Sequence, residues 1–322
     1  MTALSRRRFL TASATLVAAG LSPRPARAQV VKIGTAVLGD YSMAGPVIIA
    51  QEKGFFKAEG LDAEFIPFRG GPDLLKAVVA GDVLVGVTGS TDILVFREAG
   101  APIKMVATHT DGNHFTLNVA ADVKGLADLK GKSIGVTRAG ATTWVFARMV
   151  AKKEGWDPER DVKVVGLGGL DAQLAALARK EIAAYVWGDG GAVTELQGKS
   201  RVLMRLDAVT PKWISQIQYA SEDGIKKNPD TIRKAMRAMF RALKLMRENP
   251  KEAADLCART LGWSPEAVLA AHKISGPLLP TDGTPNMEAL AAMQETLLEY
   301  GLIKKKLPLD EHVSREFVPV RV

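Results

Sequence analysis

The sequence predicts an α/β protein of two lobes, each built on a mostly parallel sheet flanked by helices and joined to the other by a two-strand hinge. Three observations carry this. Apolar runs that read as strands alternate with helical runs, and the alternation is played through twice; two extended stretches interrupt it; and everything after Asp223 is almost wholly helical in pattern.

The first set runs VVKIGTAV, AGPVIIAQEKGFF, LDAEFIPF, PDLLKAVVAGD, VLVGVTGS, TDILVFREAG and PIKMVATHT. Strands separated by single helices are joined by crossovers, which make neighbours parallel. In AQEKGFFKAEGLDAEF, Gly54 stops the first helix, Phe55 and Phe56 plug its end against the sheet, and Gly60 permits the turn into the second strand. The second set runs SIGVTRAG, ATTWVFARMVAKKEG, DVKVVGL, DAQLAALARKE, IAAYVWG, GAVTELQGK and RVLMRL. THTDGNHFTLNVAADV carries the chain into it, and DAVTPKWISQIQYAS brings the chain back. One lobe is therefore expected over residues 29–112 and 213–322, and the other over 113–212. NPDTIRKAMRAMFRALKLMREN puts Ile232, Met236, Met239, Phe240, Leu243 and Met246 on one face at helical spacing. That helix and its successors are expected to pack back on the first lobe.

The chain opens MTALSRRRFLTASATLVAAGLSPRPARAQ, with three arginines, an apolar run from Phe9 to Leu21, and Ala26-Arg27-Ala28. This reads as an export leader of the twin-arginine type on Ser5-Arg6-Arg7-Arg8-Phe9-Leu10, cleaved after Ala28. The apolar run falls short of the ~20 residues that span a bilayer. The expected location is the periplasm. Replacing Arg6 and Arg7 together by Lys is expected to stop export while sparing the fold; normal periplasmic levels of the double variant, or of the triple variant that also replaces Arg8, would point to the general secretory route.

Residues 1–28 carry five arginines and no acid, so the formal charge of +8 falls to +3 without them. Neither that balance nor any basic stripe interleaved with aromatics calls for nucleic acid. A small-molecule partner and a monomer are expected. Cys257, the only cysteine, sits at helical spacing with Leu256 and Leu261 as a buried apolar residue. No cysteine-rich metal or haem pattern exists, and no cofactor is expected.

AQEKGFFKAEGLDAEF, LKAVVAGDVLVGVTGS, REAGAPIKMVA, ADLKGKSIGV and LLEYGLIKKKLPLDEHV, in that order along the mature chain, resemble the motifs of the solute-binding proteins of ABC transporters for nitrate, sulfonates, taurine and thiamine precursors. The resemblance implies the periplasmic binding protein type II fold, hinge closure on a ligand, and delivery to the transmembrane permease of an ABC importer. It departs at Ile182–Gly190, where the family commonly has a Trp-Glu-Pro-like step, so ligand identity does not carry over. Related thiamine-pyrimidine synthases rely on a Cys-rich iron-binding motif, which this chain lacks; the resemblance implies a binding protein and not an enzyme, with a sensor-linked receptor on the same fold as a further alternative.

In open α/β sheets ligands bind beyond the carboxyl ends of the strands. That rule selects Asp40, Tyr41 and Ser42; Arg69 and Gly70; Gly89, Ser90 and Thr91; Arg138, Gly140, Thr142 and Thr143; and Trp187 and Asp189. Gly140 to Thr143 offers backbone N–H groups and hydroxyls at a helix start, as an anion needs, and Gly89-Ser90-Thr91 repeats this in the first lobe. Both also read as ordinary helix capping. Arg138 or Arg69 could grip a carboxylate or sulfonate, so a small organic anion is the expected ligand. Tyr41 and Trp187 could wall the cleft or belong to the core. Asp189 would repel an anion and attract an amine or hydroxyl. His109, Asp111 and His114 in HTDGNH read as a polar turn, and no metal is expected.

Overall fold

The computed structural model describes residues 29–322; the expected leader lies outside them. The chain begins with β1 (Gln29–Thr35), α1 (Tyr41–Glu52), α2 (Phe55–Ala58), β2 (Leu61–Pro67), α3 (Gly71–Ala80), β3 (Val85–Gly89), α4 (Thr91–Glu98) and β4 (Ile103–Asp111). It crosses into β5 (Thr116–Val119), β6 (Ser133–Val136), α5 (Thr142–Lys153), β7 (Lys163–Gly166), α6 (Leu170–Ala178), β8 (Ala184–Trp187), α7 (Gly190–Leu196) and β9 (Arg201–Arg205). It returns through β10 (Ile214–Ser221) and finishes with α8 (Glu222–Lys227), α9 (Pro229–Glu248), α10 (Pro250–Leu261), α11 (Pro265–Ser275), α12 (Met287–Glu299) and α13 (Leu309–His312).

Two five-stranded sheets result, in the orders β2-β1-β3-β10-β4 and β7-β6-β8-β5-β9. Both are mixed but mostly parallel, as expected, with one strand of each reversed. β10 is antiparallel to β3 and β4, and β5 is antiparallel to β8 and β9. The reason is topological. These two strands are the ones delivered by the crossings, so each enters its sheet from the hinge and runs outward, against strands whose carboxyl ends face the other lobe. The two crossings are tied together by Gly112 N to Trp213 O (2.8 Å), Leu206 N to Phe115 O (2.9 Å) and Asn113 Nδ2 to Thr210 Oγ1 (2.6 Å).

α1 has no polar face, because every residue from Tyr41 to Ala50 is buried beneath α9, α10 and α11. Pro46 sits inside it and has no N–H to give Ser42 O, its partner four residues back. His109 supplies the missing donor, its Nε2 lying 2.8 Å from Ser42 O, while Gln218 Nε2 donates to its Nδ1 at 3.1 Å. The tautomer is thereby fixed and the ring neutral; burial pulls its pKa down to about 4.

The GFFKAEG segment does what its pattern predicts: Gly54 and Gly60 take positive φ (68° and 74°), and Phe56 is buried. Glu59 adds a tie the pattern did not announce. Its nearly buried carboxylate pairs with Arg237 (2.5 Å) and Arg241 (3.0 Å) of α9, pinning that helix to the first lobe. Ile232, Met236, Met239, Phe240, Leu243 and Met246 are fully buried on its other face. Among the described residues no helix is long and apolar enough to cross a membrane.

Candidate functional site

Where the carboxyl ends of β1, β3, β6 and β8 face one another, the lobes close on a narrow chamber with a cavity volume of ≈30 Å³. Ala36, Val37, Met43, Phe115 and Trp187 give it apolar walls, Thr88, Thr137, Thr142 and Thr143 give it hydroxyls, and Asp40 and Asp92 give it carboxyls. Among the described residues no Lys or Arg lines it. The backbones come close because glycines stand at the contacts: Gly70, Gly71, Gly89 and Gly188 all face it.

Each lobe puts a carboxylate on a helix start of the other. Asp92, from α4, accepts Thr142 Oγ1 (3.0 Å) and the Thr142 N–H at the start of α5, and also Thr88 Oγ1 from its own lobe (2.5 Å). Asp189, from the second lobe, accepts the N–H groups of Tyr41 (2.7 Å) and Ser42 (2.8 Å) at the start of α1. These are the groups a helix leaves unpaired at its amino end, and a negative charge is favoured there. Thr91 Oγ1 to Thr142 Oγ1 (2.6 Å) and Trp187 Nε1 to Gly39 O (2.6 Å) complete the closure. Burial raises the pKa of both carboxyls to about 7, against the lowering effect of their hydrogen bonds; for Asp189 the neighbouring Asp40 adds to the rise.

Behind the chamber lies a buried polar network at the hinge. Asp40 caps α1 through Met43 N (3.2 Å) and also accepts from Ser42 Oγ and Gln216 Nε2, both at 3.0 Å. Ser215 Oγ donates to Gly112 O (2.6 Å), so it must accept from His114 Nδ1 (2.5 Å). That leaves His114 Nε2 to face Asp40 Oδ2 at 3.3 Å. Burial opposes charge on both partners, but their mutual attraction prevails: His114 rises and Asp40 falls from their ordinary values. Both shifts favour the charged ring, held between Ser215 and Asp40. Asp40, His114 and Asp189 bring donor atoms within 4.8 Å of one another, as a metal site would. Their lone pairs and protons are already engaged by Tyr41 N, Ser42 N, Ser215 and one another.

Of the residues selected from the sequence, Asp40, Gly70, Gly89, Thr142, Thr143 and Trp187 line the chamber. Tyr41 does not. Its ring is fully buried in the first lobe, edge-on to His272. Ser42 and Asp189 belong to the closure, and Thr91 bridges the lobes outside the lining. Ser90 Oγ is turned to Ile214 O and holds β10. Arg138 donates through Nε to Asp73 (3.0 Å) at the rim, with about a third of its side chain exposed, and Arg69 lies outside the chamber. Gly140 makes the turn before α5 with φ 81°. The sequence reading missed Asp92, whose signal was its place after Thr91 in the helix start that follows VGVTGS, and it took His114 for a turn residue.

The NMT1/THI5 like family matches residues 42–253, more than half of the chain. A protein of Brucella abortus named only as a binding protein is 26% identical over 98% of this chain and 99% of its own length. The riboflavin-binding protein RibY of Chloroflexus aurantiacus is 25% identical over 85% of this chain and 82% of its own. Among solved structures, the alkanesulfonate-binding protein SsuA of Xanthomonas axonopodis bound to MOPS superimposes with a TM-score of 0.74, covering 90% of this chain and 100% of that one at 20% identity. The fold is that of the periplasmic binding proteins, and the chain belongs to the NMT1/THI5-like family.

Proposed function

We propose that the protein is a periplasmic, non-enzymatic receptor that closes its lobes on a small molecule and presents it to the permease of an ABC importer. The observation that supports this best is the chamber itself: both lobes line it, and every contact that shuts it passes between them. The family and the leader expected at residues 1–28 agree with the reading.

The lining favours a ligand that donates hydrogen bonds, neutral or cationic and flat enough to lie between Trp187, Phe115 and Met43. A nitrogen heterocycle fits that description, as does the ligand in the name of the relative RibY. Asp92 would accept from it, while an anion would meet two carboxyls and, among the described residues, no Lys or Arg. This revises the organic anion expected from the sequence, because Arg138 is spent on Asp73 at the rim and Asp92 already occupies the helix start at Thr142. Calorimetry of the mature protein against aminopyrimidines, flavins, alkanesulfonates and nitrate checks both. A heterocycle is expected to bind with micromolar affinity, about 8 kcal/mol. Binding of sulfonates alone, weakened tenfold by Arg138→Ala, would restore the anion.

A further inference from the structure

A second, wider hollow opens between the lobes just outside the chamber, with a cavity volume of ≈320 Å³. Leu38, Phe68, Leu261 and Trp263 of the first lobe and Leu167 and Leu170 of the second wall it. Its partition from the chamber is one residue thick in two places: Gly39 faces outward and Asp40 inward, and Arg69 faces outward and Gly70 inward. Leu170 closes the gap at Gly39, where an added Cβ would lie 3.2 Å from its own Cβ. Arg138 closes it at Gly70, where its Cγ would lie 2.7 Å away.

The charges at this mouth are unequal. Arg138 and Arg69 both lie beside Gly168, but only Arg138 is neutralised, by Asp73. Arg69 is exposed and has no carboxylate within salt-bridge distance among the described residues. A crevice with apolar and aromatic walls, an unpaired guanidinium and, from the second lobe, the carboxylate of Asp171 suits an aromatic or alkyl group that carries an anionic substituent: the ring covers Trp263 and Phe68, and Arg69 holds the anion with two N–H groups, turned away from Asp171.

We propose that this crevice is an outer ligand subsite for an apolar group bearing an anion, parted from the inner chamber only by Leu170 and Arg138 at Gly39 and Gly70. The proposal rests on the reading of the chamber as the ligand site and extends the ligand to two parts, a donor-bearing head within and an anionic apolar tail at the mouth. The aromatic sulfonate 1-anilinonaphthalene-8-sulfonate is a probe for the outer part alone. Fluorescence titration of the mature protein is expected to show one saturable site, weakened at least fivefold by Arg69→Gln and by Trp263→Ala and changed less than twofold by the inner variant Asp92→Asn. Binding indifferent to both outer variants, or sensitive only to the inner one, overturns the outer subsite. Calorimetry with the heterocycle panel reads the chamber separately. Loss of probe binding with heterocycle binding intact removes only the subsite, and the reverse removes only the chamber reading.

Discussion

Gly89→Ala is expected to abolish ligand capture without unfolding the protein. A Cβ built on Gly89 would lie 2.1 Å from Thr142 Oγ1, 2.5 Å from its Cβ and 2.9 Å from its Cγ2, and all three atoms belong to the other lobe. Residue 89 ends a strand paired with Gln216, and its backbone is open to any L-residue, so neither lobe is strained internally. The clash is relieved by moving the lobes apart, which breaks the Thr142 bonds to Asp92 and Thr91. Three such hydrogen bonds, two to a carboxyl, are worth roughly 4–7 kcal/mol together. Affinity should therefore fall at least a hundredfold, which corresponds to about 2.7 kcal/mol. Solution scattering should show that saturating ligand shrinks the radius of gyration of the wild type and not of the variant, while Tm stays within a few degrees. Gly89→Ala with Thr142→Gly should regain compaction. Tight binding by the single variant would mean that the lobes need not meet at this point.

What the sequence made legible is what is encoded locally. The strand and helix runs, the stop at Gly54 and the buried stripe from Ile232 to Met246 follow from spacing over a few residues, and all stand in the structure. The direction of β5 and β10 does not follow from spacing. It comes from where the hinge delivers the chain, a property of the whole topology. The site was legible as a set of loops, because the carboxyl ends of strands are predictable, and much less as a set of side chains. Asp189 meets Tyr41 and Ser42 across 148 and 147 residues of sequence. No local pattern reports that a carboxylate on one loop will complete a helix on another. Arg138 misled for the same reason: its free guanidinium in the sequence becomes half of an ion pair once Asp73 is brought beside it. His109 shows the converse, since a proline inside a helix announces an orphan carbonyl and therefore a buried donor somewhere, though not which one.

The second large effect is a pH dependence carried by Asp92, expected to appear as a widening gap in Tm between the ligand-free wild type and Asp92→Asn as pH rises from 4 to 8. Burial between the lobes raises this carboxyl from 3.8 to about 7, and its bonds from Thr88 and Thr142 do not compensate. Between those two values the folded protein keeps a proton that the unfolded chain has released, so stability falls as pH rises through the window and levels off above about 7. At about 1.4 kcal/mol per pH unit the loss is on the order of 4 kcal/mol. The wild-type profile will not show it cleanly. Asp189 and the paired His114 shift in the same direction, but His109 and His312, held near 4 by burial, gain stability over part of the same range. Subtracting the variant isolates Asp92, because those groups are common to both. Asparagine can still accept from Thr142 and carries no charge to desolvate, so it should lose at most a hydrogen bond's worth at pH 4 and gain steadily above it. At roughly 2–4 °C per kcal/mol for a chain of this size, the variant should melt several degrees above the wild type at pH 8. A difference of either sign that stays constant across the range would show that geometry at the Thr88–Asp92–Thr142 contact matters and that the buried proton does not.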